Sequence, residues 1–297
     1  MSAAAHTAGQ TRRRRLARGM TPWWLLSAPL ILLGLLFVAP LLTLFLIGFQ
    51  HNSLFNVGGW TFDNFSTIFH TGSYRRIAVT TAEIATVTML VQLAVGLPLA
   101  YVLAFRAGRW ELPLILLLVL ADELNPIVRI YAYRVVLGRE GILNRALEAV
   151  GLVSSHHPLS WLLFDKFAVV VVLSTSYITY TVIPVYAAMK AIDPALIEAA
   201  TDLGASWTVR ARRILLPLAA PGIFIAIILV YIPLYTEFAT PTLVGGTGSY
   251  MLGQLNAELI TESGDLGQGA ALSALLLAAS GVMAAAAYYL SKLNRLE

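Results

Sequence analysis

Runs of eighteen or more apolar residues recur along this chain, and each is long enough to cross a bilayer core of about 30 Å as a helix. Hydrophobic residues make up 58% of the sequence and charged residues 12%, where a soluble globular domain carries about 25% charged residues. Mean hydropathy is +0.75. The expected fold class is therefore an all-α polytopic membrane protein. The chain has no cysteine, which removes thiol catalysis, disulfides and cysteine-ligated metals together and leaves the redox compartment undecided.

Five arginines, Arg12 to Arg15 and Arg18, precede the first apolar run. A cleaved signal peptide also starts basic, but its apolar core is only about 7–15 residues. The run here extends from Trp23 to Phe49 without a small-x-small cleavage site. It reads as a first membrane helix with its amino end in the cytoplasm, and the positive-inside rule accounts for the arginines without a nucleic-acid partner.

Six spans are expected, at about 23–49, 78–105, 111–133, 166–190, 217–240 and 269–291. Pro29 and Pro40 predict a kinked or broken first span,. The organisation expected is a basic cytoplasmic tail (1–22), the first span (23–49), an outer loop (50–77), a core transmembrane domain (78–291) and a cytoplasmic tail (292–297). The outer loop holds Trp60, Phe62, Phe65 and Phe69, an aromatic pattern suited to the membrane interface,. Ile142, Leu143, Ala146, Leu147 and Val150 repeat at helical spacing and predict a short surface helix,. The amino tail, the 106–109 turn, the 191–216 loop and the carboxy tail carry most of the arginine and lysine. That side is assigned to the cytoplasm, with both termini inside.

The 191–216 loop is too charged and too short to span. Asp193-Pro194 is a helix start, an aspartate cap followed by a proline whose missing N–H costs nothing,. Gly204 can supply the left-handed position that ends this helix, and Ser206 can cap a second helix running to about Leu216, ahead of a fifth span opened by Pro217,. Ala199, Ala200, Gly204 and Ala205 would admit another surface closely, and Glu198 and Asp202 offer carboxylates to a basic partner. The alternative is a connector lying on the headgroups.

Glu198-Ala199-Ala200, Gly204 and the later Ile214-Leu215-Leu216-Pro217 resemble, in identity and spacing, the loop by which permeases of binding-protein-dependent ABC importers dock onto their ATPases. Residues from about 60 to 290 resemble the same family, most closely its spermidine/putrescine branch. Trp60 to Phe69, Gly96 to Tyr101, Val128 to Tyr133, Gly141 to Asn144 and Thr236 to Gly246 carry that likeness. Two departures are Asp122-Glu123, where apolar or small residues are expected, and Tyr133, where a tryptophan is expected.

The resemblance implies the type I, MetI-like permease fold with six transmembrane helices, and a subunit without catalytic chemistry. It implies a second permease (a heterodimer), two ATPase subunits that bind ATP and Mg, an extracytoplasmic solute-binding protein and a small-molecule solute, in the bacterial cytoplasmic (inner) membrane. ATPase docking would fall to Glu198, Ala199, Ala200, Asp202, Gly204, Ala205 and Ser206. No Gly-x-x-x-x-Gly-Lys-Ser/Thr loop occurs here, so no cofactor is expected on this chain,.

Asp122, Glu123 and Glu237 fall within or near spans, where a charge costs at least about 2.5–3.5 kcal/mol and should face the bundle interior or water,. Asp122 and Glu123 can form a cation-attracting element on the solute path, or pair with Arg129 or a partner-subunit residue. Neighbouring helical residues point about 100° apart, so both face one lumen only if Pro126 unwinds the helix. Glu237 reads as a pore-mouth residue. Tyr231 and Tyr235, one turn apart, could stack on a solute or anchor the fifth span,. His156-His157 lacks the acidic or cysteine neighbours a metal site needs,.

The expected function is an importer permease for a small cationic solute such as a polyamine. Another solute (sugar, organic anion, phosphonate or metal complex) is the alternative, and an ion-coupled secondary transporter is a rival class. The rival predicts a site built from internal repeats, and residues 1–150 and 151–297 show no repeat. A membrane-embedded enzyme would need a histidine or paired-acid constellation on spans, and no histidine lies in one.

Overall fold

The computed structural model describes residues 23–53, 56–154 and 159–293. The Arg12–Arg18 cluster, His156-His157 and Arg295 lie outside the described residues.

Helix α1 (Trp23–Leu33), a π turn (Gly34–Val38) and α2 (Ala39–Gly48) form one unbroken helical stretch. Of the kink or break expected at Pro29 and Pro40, the chain shows no break, but a π turn distorts the helix just ahead of Pro40. The ring of Pro40 opposes the carbonyl of Leu36, which belongs to the π turn, and the wider turn gives the ring room,. A two-stranded hairpin follows, β1 (Gln50–Ser53) and β2 (Asn56–Trp60), then α3 (Asp63–His70). Asn64 on α3 donates to the carbonyls of Gly48 and Gln50, both at 2.9 Å, and pins the hairpin to the end of the first span.

Helix α4 (Gly72–Phe105) is the central element, 34 residues long and beginning six residues before the expected 78. After a 3-10 turn (Gly108–Trp110) the third apolar segment is divided into α5 (Glu111–Asp122) and α6 (Pro126–Leu137). The uninterrupted helix expected over 111–133 is thereby corrected. Proline lacks the N–H a continuing helix needs, and Asn125 turns the stop into a fresh start by accepting from the amides of Ile127 (2.9 Å) and Val128 (3.4 Å),. The surface helix α7 (Ile142–Ala149) follows. The fourth segment is a bent pair, α8 (Lys166–Ser176) and α9 (Ile178–Lys190), meeting at 45° around Tyr177.

In the 191–216 loop, α10 (Pro194–Asp202) and α11 (Trp207–Arg210) flank Gly204. A π turn (Ala211–Leu215) joins α11 to α12 (Leu216–Thr236), so the helical stretch runs from Trp207 to Thr236 rather than opening at Pro217 and ending near 240. The chain closes with α13 (Ala239–Val244), α14 (Leu252–Thr261) and α15 (Leu266–Leu293). Among the described residues four helical stretches are long and apolar enough to cross a membrane, and the bent α8–α9 pair makes five. The remaining expected span, the third at 111–133, is the divided α5–α6 segment and is not among these five.

Helix α4 packs against α8 and α12 through a buried cluster around Ile84, Met89, Val172, Leu173 and Leu234, and against α9 and α12 through another around Leu103, Val182, Val185 and Ala226. Lipid tails are as apolar as these side chains, so close fit rather than burial drives helix association in a membrane. Gly222 shows the fit: a Cβ there would lie 2.5 Å from the Pro184 carbonyl oxygen and 2.5 Å from Ala188 Cβ.

Candidate functional site

Three helix interruptions meet at one cavity of about 720 Å³. The α5–α6 break contributes Asp122, Asn125, Pro126 and Arg129; the α8–α9 bend contributes Ser176, Tyr177 and Tyr180; the end of α12 contributes Pro233, Thr236 and Glu237. Discontinuous membrane helices of this kind are where transporters build solute sites, because exposed helix ends and polar side chains need water or a ligand there.

Each acid has a defined partner. Arg129 Nη1 lies 3.4 Å from Asp122 Oδ1, joining α5 to α6 across the break, with both side chains about four-fifths buried. The Arg129 Nε is buried and finds no hydrogen-bond partner among the described residues. Glu237 accepts from the Tyr177 hydroxyl (2.9 Å), the Thr240 amide (3.1 Å) and the Thr240 hydroxyl (3.2 Å), so it caps α13 while holding the bend of the fourth span. Pro126 does interrupt the helix, yet Asp122 and Glu123 still part company: Asp122 lines the cavity and Glu123 is exposed outside it. Tyr231 and Tyr235 do not line it either. Their rings lie 5.3 Å apart and pack against the buried core, with the Tyr231 hydroxyl 2.9 Å from Thr86 Oγ1.

Residues the sequence reading did not single out complete the picture. Arg129 was considered only as a partner for the acids, and Tyr177 and Tyr180 not at all, although Tyr177 marks the 45° bend. Gln92 is fully buried on α4, where it donates to the carbonyls of Leu173 (3.3 Å) and Ser174 (3.2 Å) and accepts from the Thr181 hydroxyl (2.6 Å). A polar residue inside a membrane helix was the available signal.

At the far end of α4 lies the 191–216 hook. Asp193 accepts from the Ala195 amide at 3.0 Å and caps α10. Gly204 has φ +78° and open space around it, a conformation glycine adopts freely and other residues rarely,. Ser206 precedes α11 without bonding its backbone; its hydroxyl lies 3.1 Å from Thr208 Oγ1 instead. Leu203, at the tip, is 88% exposed. Glu198, Ala199 and Asp202 are exposed, and Ala200 and Ala205 are half-buried.

Several apolar crossings, broken helices around a cavity that holds Asp122, Arg129 and Glu237, and an exposed polar hook define a multi-pass membrane permease. The family of binding-protein-dependent transport system inner membrane components matches over residues 3–295, and the chain belongs to it. It is 30% identical to the spermidine/putrescine transport system permease protein PotB of Escherichia coli strain K12 over 224 residues, 75% of this chain and 80% of that one. It is likewise 30% identical to PotB of Haemophilus influenzae over 195 residues, 66% and 67% of the two chains. Among solved structures, a bacterial ABC transporter that imports the acidic polysaccharide alginate superposes with a TM-score of 0.73 at 19% identity, covering 94% of this chain and 98% of that one. The MetNI methionine ABC transporter in an inward-facing form gives 0.53 at 20% identity over 74% and 94% of the two chains. The fold is that of ABC importer permeases. The protein is a transport subunit rather than an enzyme, in an importer whose ATP hydrolysis belongs to other subunits.

Proposed function

We propose that this permease forms half of the translocation path of a polyamine importer and that Asp122 and Glu237 line that path. The likeness to the spermidine/putrescine permeases over most of both chains carries the reading. The cavity's charge supports it: two carboxylates against one guanidinium leave one negative charge among the rings of Tyr177, Tyr180 and Phe238. An ammonium group is drawn to aromatic faces by about 0.5–2 kcal/mol, more where water is excluded. In this reading a second, similar permease completes the path. Two ATPase subunits bind the cytoplasmic loops of the two permeases, one of them gripping Glu198, Ala199, Ala200, Asp202, Gly204, Ala205 and Ser206 of this chain, and a binding protein delivers solute from the other side. Both termini are cytoplasmic. ATP and Mg sit on the ATPases.

The unpaired Nε of Arg129 favours a second reading, in which the solute carries an acceptor oxygen, as an organic anion does. Uptake by the assembled transporter in proteoliposomes separates the two. ATP-dependent accumulation of labelled spermidine, competed by putrescine and indifferent to dicarboxylates, is the expected result. No polyamine uptake, with uptake of a dicarboxylate, would overturn the polyamine reading.

A further inference from the structure

The buried amide of Gln92 holds both sides of a bend. Leu173 and Ser174, whose carbonyls it donates to, belong to the last turn of α8, and Thr181, whose hydroxyl it accepts, to the first turn of α9. A helix ending inside the membrane leaves carbonyls short of partners; the Leu173 carbonyl also takes the Tyr177 amide at 3.1 Å, and a side chain that donates to it and to the Ser174 carbonyl fixes where the bend lies. The residue at the bend, Tyr177, lines the cavity and holds Glu237.

Nine residues further along α4, about 13.5 Å at 1.5 Å per residue, Tyr101 meets Trp207 ring to edge, centroids 4.6 Å apart. Trp207 is the first residue of α11, the second arm of the hook. Arg210 stacks on it at 5.9 Å and donates to Thr201 on α10, so the two arms of the hook are tied together. Between Gln92 and Tyr101, Pro98 removes one bond of the helical ladder, but α4 is clamped to α9 over this stretch. Gly96 lets Thr181 approach to where a Cβ would stand 2.8 Å from its methyl, and Leu103 packs with Val182 and Val185,.

We propose that Gln92 and Tyr101 are positioning residues that make α4 a shaft between the hook and the cavity: Trp207 pushes on Tyr101, and Gln92 carries the displacement to the bend at Tyr177. The inference rests on the hook being the ATPase contact. The transmission needs no contact between hook and cavity, only two packed ends on one helix with discrete arrangements.

The test uses the assembled transporter with one introduced cysteine at position 180, beside the bend, in a chain that has none of its own. The readout is the rate of maleimide labelling without nucleotide and after trapping with ATP and vanadate, which requires no knowledge of the solute. The parent is expected to change its labelling rate at least threefold on trapping. Gln92→Leu and Trp207→Ala should lose that change, and Trp207→Phe, which keeps an aromatic face on Tyr101, should restore it. Thr181→Val removes one of Gln92's bonds at constant shape and replaces Gln92→Leu if that variant does not assemble. A separate cysteine at position 203 cross-linked to the ATPase reports docking. An intact cross-link with the full labelling change in the Gln92 or Thr181 variant and in Trp207→Ala would overturn the shaft alone. Absence of the cross-link in the parent would overturn the docking reading and the shaft with it.

Discussion

The Tyr177 hydroxyl donates to the Glu237 carboxylate at 2.9 Å, tying the bend of the fourth membrane segment to the end of the fifth. Because the same carboxylate caps α13 through Thr240, a side chain on the cavity wall is also a structural joint. Charge and scaffold can be separated by experiment.

Glu237→Ala leaves the Thr240 amide and Tyr177 hydroxyl without their acceptor and should destabilise the protein by about 1–3 kcal/mol. Glu237→Gln keeps an acceptor and should melt close to the parent while lowering polyamine uptake. Thermal denaturation in detergent together with uptake makes the comparison. Identical melting of all three proteins would remove the joint.

The pair of Asp122 and Arg129 is a single contact at 3.4 Å rather than a two-pronged one. If it is chiefly a strut across the α5–α6 break, Asp122→Asn and Arg129→Gln should each reduce co-purification of the second permease, since either leaves a buried charge unpaired. The double variant should recover it. If Asp122 serves the solute, Asp122→Asn should raise the KM for spermidine at normal assembly, and the double variant should not recover uptake.

Gly204 is open to space but sits at φ +78°, so backbone strain, not crowding, limits what can replace it. Gly204→Asn should retain most transport, because asparagine tolerates this region. Gly204→Val should abolish it at normal membrane levels, and Glu198→Lys should do the same by reversing a charge on the exposed face of α10. Wild-type uptake in Gly204→Val and Glu198→Lys would dismiss the hook as the ATPase contact.

At Gly222 the limit is crowding, since a Cβ would stand 2.5 Å from both the Pro184 carbonyl oxygen and the Ala188 Cβ of α9. Gly222→Ala alone should overpack the α9–α12 contact and lose about 1–3 kcal/mol. The variant is expected to show a lowered melting temperature and reduced expression. An unchanged melt would mean the two helices can separate without penalty.

Orientation is open to the same cysteine-free background. A cysteine at position 207 should resist membrane-impermeant reagents in intact cells, and one at position 145, exposed on α7, should react. Labelling of 207 from outside would invert the assignment.

Much of the architecture was legible because its causes are local. Apolar length marks a membrane helix wherever it occurs, and Asp193, Pro194 and Gly204 act on their own backbone, so the hook could be read residue by residue. Pro126 announced a break in the same way, although reading the segment as one span of 111–133 gave its apolar length more weight than its proline. The first span answers its proline differently. Pro40 signals a break, and the π turn that absorbs it leaves no mark in composition.

The sequence by itself determined the class of protein, the run of helices and the form of the hook, since each follows from forces within a few residues of chain. Tertiary structure alone decided which polar groups meet. Asp122, Tyr177 and Glu237 come from three separate helix interruptions, and only the packing of α4, α9 and α12 brings those interruptions to one cavity while sending Glu123, Tyr231 and Tyr235 elsewhere. Gln92 shows the reason most plainly. A buried amide must find partners, but the carbonyls it found are some eighty residues away, and hydrogen bonds over that separation are set by how helices fit, which no local pattern records.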